Sequence, residues 1–368
     1  MPNRRDFVRT VAGATAGALV GSAGLAAAQG RQGGRGGPAA PAGPVVRRQI
    51  SINGKRIRVV DIHAHATVPE VGPVVAGTPY ADEAGGRNLD QERVDALDRQ
   101  GIDIQALSIN GFWWYDVKDR DLAGRIVKAQ NEGLAKFVST RPDRFVGMAS
   151  TSLQFPDLAA QQLDDGVKRL GLRAAAIGGH VNGEDLSNPK YDPFWAKAAE
   201  LGVVVFMHPG GADNIIKADA LDGRGDLGNI IGNPLETTYF LSRLIYDGTL
   251  DKFPGLKVAG AHAGGYLPSY LGRSEAACVV RGNAMCANKK KPSEYLRSQI
   301  LVDTMILSDE GLRHLVAEVT PSQIVYGTDN PLNWPVTVDL VLNAKFLSDA
   351  EKEMILGGNL LKLLKITS

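Results

Sequence analysis

The feature that most constrains the fold is an alternation of short apolar segments with amphipathic segments, which begins near residue 56 and continues to residue 327. The apolar segments are five to eight residues long, which is typical of buried strands, and several intervening segments have the 3.6-residue periodicity of a helix. The predicted strands are 56–61, 102–109, 145–149, 173–177, 203–207, 256–261, 299–303 and 323–327, and the predicted helices are 91–100, 121–139, 157–170, 193–201 and 235–246.

Apolar strands that are each separated by a helix indicate a parallel sheet with both faces covered. Eight such units within about 300 residues favour a closed barrel over an open doubly wound sheet. No glycine-rich dinucleotide motif or P-loop follows any of the predicted strands. We therefore predict an α/β protein, a (β/α)8 TIM barrel, over residues 48–368.

The N-terminus has the features of an export signal. Arg4 and Arg5 precede an uncharged stretch that is rich in Ala and Gly and ends in three alanines at positions 26–28. A retained membrane anchor is the alternative, although Gly and Ala are weakly apolar. Residues 29–47 are rich in Gly, Pro and Ala and predict a disordered linker. We expect a twin-arginine signal peptide at 1–28, export of the folded protein by the twin-arginine machinery, and a periplasmic or secreted location.

Charge and cysteine content bound the partners and the compartment. The formal net charge is +1, but the first 47 residues carry six Arg and one Asp, which leaves −4 on the rest. A mildly acidic body without a basic stripe argues against nucleic acid as a partner. The chain has two cysteines, Cys278 and Cys286. An oxidising compartment permits a disulfide between them, and two unpaired thiols are the alternative.

Side chains able to bind a metal follow several of the predicted strands, at the barrel end where active sites assemble. A lone histidine at a strand end is more often structural, but four of the six histidines of the chain lie there together with one aspartate. This group is His63, His65, His208, His262 and Asp329.

Three imidazoles and a carboxylate suit one divalent ion, with Zn²⁺ preferred and Mn²⁺ also accepted. Such an ion lowers the pKa of a bound water to about 7. One histidine would then remain as a general acid or base. Spacing alone does not say whether that histidine is His208 or His262. Asp61 is expected to fix the end of the first strand or to orient a ligand.

From about Val59 to Ile366 the chain resembles the aminocarboxymuconate-semialdehyde decarboxylase-like branch of the amidohydrolase superfamily. Several of the shared motifs have no barrel-building reason, so together they are specific. The motifs are His63-Ala64-His65, the segment 177–182, Glu236-Thr237-Thr238, Lys252-Phe253-Pro254, the segment 262–265, Gly272-Arg273, Gly327-Thr328-Asp329 and Gly358-Asn359.

The resemblance implies a role for each of these site residues. His262 is implied as the base that deprotonates the metal-bound water. Arg273 is implied to bind the substrate carboxylate, in relatives sometimes across a dimer interface, so a homodimer is expected. Arg87 matches a second carboxylate-binding arginine. The implied metal ligands, of which Asp329 also takes part in catalysis, are His63, His65, His208 and Asp329.

The chain departs from the family pattern where the substrate would lie. The decarboxylase has an aromatic residue soon after the His-Pro of the fifth strand, where this chain has Gly210-Gly211. An aromatic cluster, Phe112-Trp113-Trp114-Tyr115, instead follows the second strand, and it either walls a flat ring or caps the barrel. We name Trp113 and Trp114 as candidate substrate contacts.

Three further polar residues are assigned structural roles. We expect His180 to make a structural hydrogen bond, His314 to lie on the surface, and Asn359 to cap or tie a helix.

Two functions fit this site. The first is metal-dependent, non-oxidative decarboxylation of an unsaturated or aromatic (hydroxy)carboxylic acid, with a small-molecule carboxylate as substrate. The second is metal-dependent hydrolysis of a lactone, amide or ester by the same metal-bound hydroxide. Fold does not decide between them, because one metal constellation serves both reactions in the superfamily.

Overall fold

The structure is a computed structural model that describes residues 45–81, 89–109, 113–217, 219–332 and 334–367. The predicted signal peptide, most of the predicted linker, Arg87 and Phe112 lie outside the described residues. Within these ranges, no helix is long and apolar enough to cross a membrane.

Eight parallel strands form a single sheet whose spatial order follows the chain. Two bonds close the sheet into a barrel, because the Ile62 N–H donates to the Tyr326 carbonyl at 3.0 Å and the His65 N–H donates to the Asn330 carbonyl at 2.7 Å. The strands are β1 (Val60–His65), β2 (Ile104–Ser108), β3 (Phe145–Ala149), β4 (Ala174–Ile177), β5 (Val204–Met207), β6 (Lys257–Gly260), β7 (Ile300–Asp303) and β8 (Ile324–Val325).

Helices surround this barrel, and each predicted helix is found within two residues of its expected ends. Local signals explain several boundaries, since the side chains of Asp90, Asp119 and Ser308 each cap the first turn of a helix. The main helices are α1 (Gln91–Gln100), α2 (Arg120–Thr140), α3 (Pro156–Lys168), α4 (Asp192–Leu201), α5 (Asn233–Tyr246), α6 (Leu271–Val280), α7 (Pro292–Leu296) and α8 (Asp309–Val319). Shorter helical segments lie at Gly72–Val75, Thr249–Lys252, Val338–Leu342, Asp349–Glu353 and Asn359–Leu363.

Alternate residues of the strands face two different apolar clusters, as expected for a filled barrel inside a ring of helices. In β4, Ala174 and Ala176 belong to the inner cluster, whereas Ala175 and Ile177 pack in the outer one. Asn359 confirms its predicted role, because its side-chain amide donates to two backbone carbonyls at 2.7 and 2.9 Å and ties the last helix to the start of β8. The barrel (β/α)8 architecture is therefore as predicted.

The first strand differs from its prediction. It was expected at 56–61, but the barrel strand is Val60–His65, and Lys55–Arg56 instead pairs with Ser51–Ile52 in a small hairpin. The physical reason is burial, because every residue of β1 is buried, whereas Lys55 is exposed and Arg56 is partly exposed. The pairing of β1 with β2 also shifts register between Asp61 and Ala64, a bulge of the kind that redirects side chains beside active sites.

Candidate metal centre

Four of the predicted residues converge at the C-terminal end of the barrel. One ligand atom from each of them lies within 4.8 Å of the others, and all four are buried. Oδ1 of Asp329 is 2.6 Å from Nε2 of His65, 3.0 Å from Nε2 of His63 and 3.9 Å from Nε2 of His208. The strand ends of β1, β5 and β8 thus bring the predicted ligand set to one point.

His208 provides the test of whether these residues fit a metal. Neither of its ring nitrogens has a hydrogen-bond partner among the described residues, although the residue is only 3% exposed. A buried polar group without a partner costs about 1–3 kcal/mol, so such a group usually has a ligand. Burial, followed by the positive charge of the neighbouring histidines, holds the pKa of His208 well below its ordinary value. The imidazole is therefore neutral and offers a lone pair.

The charges around the centre favour a cation. Burial raises the pKa of Asp329, but the neighbouring histidines outweigh it and hold that pKa well below the ordinary value, so the group is a carboxylate. Burial lowers the pKa of His63, yet Asp329 and Asp303 together raise it to about 10. A place that stabilises a proton on His63 also stabilises a metal ion there. Three imidazoles and one carboxylate fit a single divalent ion.

Asp303 is a site residue that the sequence analysis missed. Its Oδ2 lies 2.7 Å from Nδ1 of His63, and it accepts hydrogen bonds from the backbone N–H groups of His262 at 3.2 Å and Ala263 at 2.7 Å. A carboxylate in this position fixes the orientation and tautomer of a metal-binding histidine. The available signal was its place as the last residue of β7, in line with the ligands on other strands.

Asp61 joins the two edges of the closed barrel beneath the metal centre. Its Oδ1 accepts from the backbone N–H of His63 at 2.9 Å and of Thr328 at 3.1 Å. Its Oδ2 accepts from the Thr328 hydroxyl and the Gln105 amide. Because Thr328 precedes Asp329, this one buried carboxylate holds the backbone beside two ligands, which agrees with the expectation from the sequence.

His262 lies at the border of the centre rather than within the ligand group. Its Nε2 is 3.9 Å from Oδ2 of Asp329, and its ring centroid is 5.2 Å from those of His63 and His208. The turn that follows β6 is left-handed, with φ of 55° at His262 and 57° at Ala263, and Asp303 holds both backbone N–H groups. Strained backbone of this kind is often found where a side chain must be aimed at a reacting group.

A cavity of about 240 Å³ opens beside the centre and provides room for a substrate. His208 and Asp329 form its inner end. The rest of the lining comes from the loop after β5 and from Leu332, namely residues 209–213, 216, 221, 222, 226, 228, 229, 232 and 233.

The two candidate tryptophans occupy different environments. Trp113 is half-buried at the end of β4, where its ring would lie 3.1 Å from a Cβ added to Gly178. Trp114 is 2% exposed and packs in the outer apolar cluster, with its ring centroid 6.2 Å from that of Tyr80. Trp114 is not among the residues that line the cavity beside the centre, and its expected substrate contact stays a prediction. The expected substrate contact of Trp113 also stays a prediction.

Arg273 lies on the surface in the arrangement that the structure describes. It is exposed on α6 and forms no ion pair with a described residue. Its expected contact with a substrate carboxylate stays a prediction that needs a second subunit.

The remaining histidines are where the sequence analysis expected them. His180 makes the expected hydrogen bond, with its Nε2 3.0 Å from Oδ1 of Asp213, and His314 is exposed on α8.

Comparison with known proteins places these features in context. The amidohydrolase family model matches residues 60–366. The 2-amino-3-carboxymuconate-6-semialdehyde decarboxylase of Dictyostelium discoideum is 33% identical over 280 residues, which is 74% of this chain and 75% of that protein. The gamma-resorcylate decarboxylase of Rhodococcus jostii is 28% identical over 327 residues, which is 83% of this chain and 98% of that protein.

The fold is also similar to that of a solved decarboxylase structure. The dihydroxybenzoic acid decarboxylase of a Polaromonas species, with bound manganese and 2-nitroresorcinol, has a TM-score of 0.73 and 26% identity, and the match covers 84% of this chain and 97% of that one. Residues 60–366, which the family model matches, include all eight strands and the four residues of the metal centre.

Proposed function

The chain belongs to the amidohydrolase family, and we propose that its substrate is an aromatic acid with a hydroxyl group beside the carboxyl group. The enzyme is metal-dependent and removes the carboxyl group as CO2 without oxidation. The observation that carries this proposal is the buried group of three histidines and one aspartate, with His262 beside it and a cavity in front of it. The substrate class is supported by relatives that act on gamma-resorcylate and dihydroxybenzoic acid.

The chain's own residues supply the proton chemistry. When bound, a divalent ion would act as a Lewis acid toward the oxygen atoms of the substrate. His262 delivers a proton to the ring carbon that carries the carboxyl group. The carbon–carbon bond to that group then breaks, its electron pair returns to the ring, and CO2 leaves. An imidazole suits this step because it exchanges protons near neutral pH. Asp303 accepts the backbone N–H of His262 and so fixes the turn that carries this imidazole.

The identity of the ion is part of the proposal. The mixed nitrogen and oxygen ligand set accepts Zn²⁺ or Mn²⁺. We assign Zn²⁺ first on ligand chemistry, and the manganese in the Polaromonas structure supports Mn²⁺ as the second candidate. Metal analysis of the purified protein, followed by activity after reconstitution with each ion, distinguishes them.

Product analysis tests the function itself. The metal-loaded enzyme is incubated with hydroxybenzoates, muconate-type acids, lactones, esters and amides, and products are identified by mass spectrometry. Loss of one CO2 from a hydroxybenzoate by the wild type, and not by His208→Ala, is the expected result. His314→Ala serves as a matched control, because His314 is exposed on α8. Gain of one water on a lactone, ester or amide without CO2 release would instead establish a hydrolase.

A homodimer forms the second part of the proposal. Arg273 is exposed on α6, and large apolar side chains next to it along the chain are also exposed, including Tyr270 at 63% and Val279 at 84%. A second copy on this face would bury these side chains and bring the Arg273 guanidinium to its site. Sedimentation equilibrium measures the association. If Arg273→Ala left turnover of a carboxylate substrate unchanged, the substrate-binding role of Arg273 would be lost.

Export is the third part of the proposal. The twin-arginine pattern at Arg4 and Arg5 supports it. A disulfide joins Cys278 and Cys286, and structural disulfides are rare in reducing compartments. Fractionation of cells that express the full chain, with Arg4→Lys/Arg5→Lys as the control, tests it: the mature protein is expected outside the cytoplasm, and the control inside.

A further inference from the structure

Glu236 is a buried carboxyl group that no step of the proposed reaction uses. It lies in the first turn of α5 and is 1% exposed. Its Oε2 accepts hydrogen bonds from the backbone N–H groups of Gly210 at 2.9 Å and Gly211 at 2.8 Å, and its Oε1 accepts from that of Gly179 at 3.1 Å. One side chain therefore joins α5 to the loops that follow β4 and β5.

The approach of this carboxyl group depends on a glycine in the β4 loop. A Cβ added to Gly179 would lie 2.4 Å from Oε1 of Glu236 and 2.5 Å from Cε of Met207, closer than real atoms approach. The residues whose backbone N–H groups approach the carboxyl group, Gly179 on one side and Gly210 and Gly211 on the other, are thus all glycines, which allow a close approach of backbone.

The residues held by Glu236 line the substrate cavity. Gly210 and Gly211 follow the metal ligand His208 after one proline, and both belong to the cavity lining. A Cβ added to Gly210 would meet no heavy atom of the described residues within 4 Å. Gly211 has a φ of 121°, which is accessible in practice to glycine alone. At Gly210 and Gly211 the cavity wall is therefore bare backbone, and Glu236 fixes it by hydrogen bonds.

We propose that Gly210 and Gly211, clamped by Glu236, form a specificity-determining wall that admits aromatic acids with a bulky ring substituent. The inference rests on the proposed function, since it assumes that the cavity binds an aromatic ring. Any side chain at Gly210 would occupy open space at this wall, and the clamp keeps the backbone from moving aside. Gly210 selects by size, and Glu236 acts as a positioning residue through the two glycines.

Binding of two ring compounds of different size to the manganese-loaded protein tests the wall. The probes are 2-nitroresorcinol and the larger 4-hydroxy-3-methoxy-5-nitrobenzoate, and calorimetry measures their affinities. Gly210→Phe is expected to weaken binding of the larger probe about tenfold or more relative to the smaller one. The affinity ratio of the two probes in Gly210→Ala is expected to lie between those of Gly210→Phe and the wild type.

A matched control carries the same substitution at the opposite end of the barrel. Gly255 precedes β6, is exposed, and its added Cβ would meet only a carbonyl oxygen at 3.9 Å. Gly255→Phe is expected to leave both affinities unchanged. Circular dichroism and bound manganese report whether each variant is folded and loaded.

The outcomes separate this inference from the proposed function. A selective loss for the larger probe supports the wall. Equal affinities in Gly210→Phe and the wild type, or an equal loss for both probes, overturn it, and so does a wild type that binds neither compound. Failure of the proposed function has a different readout, because it would show as no CO2 release from any acid by the loaded wild type.

Discussion

Asp303 and His63 form a buried pair in which Oδ2 of the carboxylate lies 2.7 Å from Nδ1 of the imidazole. The same carboxylate accepts the backbone N–H groups of His262 and Ala263. Burial acts to raise the pKa of Asp303, but the hydrogen bond and charge of His63 outweigh it and lower that pKa, so the group is ionised. A single side chain therefore orients a metal ligand and shapes the turn that carries the proposed proton donor.

Replacing this carboxylate is expected to weaken metal binding. Asp303→Asn should lower the affinity for Mn²⁺ or Zn²⁺ by about 10–100-fold, because an amide holds the imidazole in its binding tautomer less well. Competition with a chelator of known affinity measures the change. Asp309→Asn is the control, since Asp309 is an exposed carboxylate six residues further along the chain. Unchanged affinity in Asp303→Asn would show that the pair has no role in holding the metal.

Removal of the His262 imidazole is expected to separate chemistry from metal binding. His262→Gln should retain stoichiometric metal, because His262 lies outside the ligand group. Its kcat should fall by about 10²–10⁴-fold, which is the usual contribution of a general acid or base. Metal content and single-turnover CO2 release are measured on the same samples, with His314→Gln alongside. Loss of the metal in His262→Gln would contradict the assignment and make the residue a ligand.

The strand and helix pattern allowed the barrel to be predicted, because it depends on local periodicity, and it placed four histidines and Asp329 at strand ends. The family resemblance implied His63, His65, His208 and Asp329 as the ligands, and the structure brings these four residues together. The start of β1 was misplaced because local propensity does not distinguish a hairpin from a barrel strand, and long-range pairing with β2 and β8 decides it.

Interactions between distant segments explain the rest of the differences. Asp303 is 240 residues from His63, and Glu236 is more than 50 residues from Gly179, so nothing in their local sequence reports the contact. Trp114 was named as a candidate substrate contact because it lies in an aromatic cluster after β2, and the structure buries it in the outer core. Sequence patterns locate strand ends, but they do not show which side chains meet there.

The disulfide between Cys278 and Cys286 is expected to stabilise the end of α6 and the loop after it. The cysteines are eight residues apart. Closing a loop of that size lowers the entropy of the unfolded chain, which raises the free energy of unfolding by about 2–3 kcal/mol. Urea unfolding should therefore require less denaturant for Cys278→Ser/Cys286→Ser than for the wild type. A reductant should lower the urea concentration at which the wild type unfolds and should leave that of the double variant unchanged. Equal sensitivity of the two proteins to the reductant would refute a stabilising role.

The Glu236 carboxyl group is expected to make folding stability depend on pH. Burial raises its pKa from 4.5 to about 7, although the charge of His180 and the N–H groups of Gly210 and Gly211 act in the opposite direction. The folded-state pKa is higher than the unfolded-state one, so the protonated carboxyl group contributes to the free energy of unfolding. This contribution is fully present below pH 4.5 and is lost as the pH rises through 7. Glu236→Gln does not titrate, so the Tm of the wild type minus that of the variant should fall across this window. Calorimetry with a chelator present excludes pH effects from metal binding. A constant difference from pH 4.5 to pH 8 would show that Glu236 has no raised pKa.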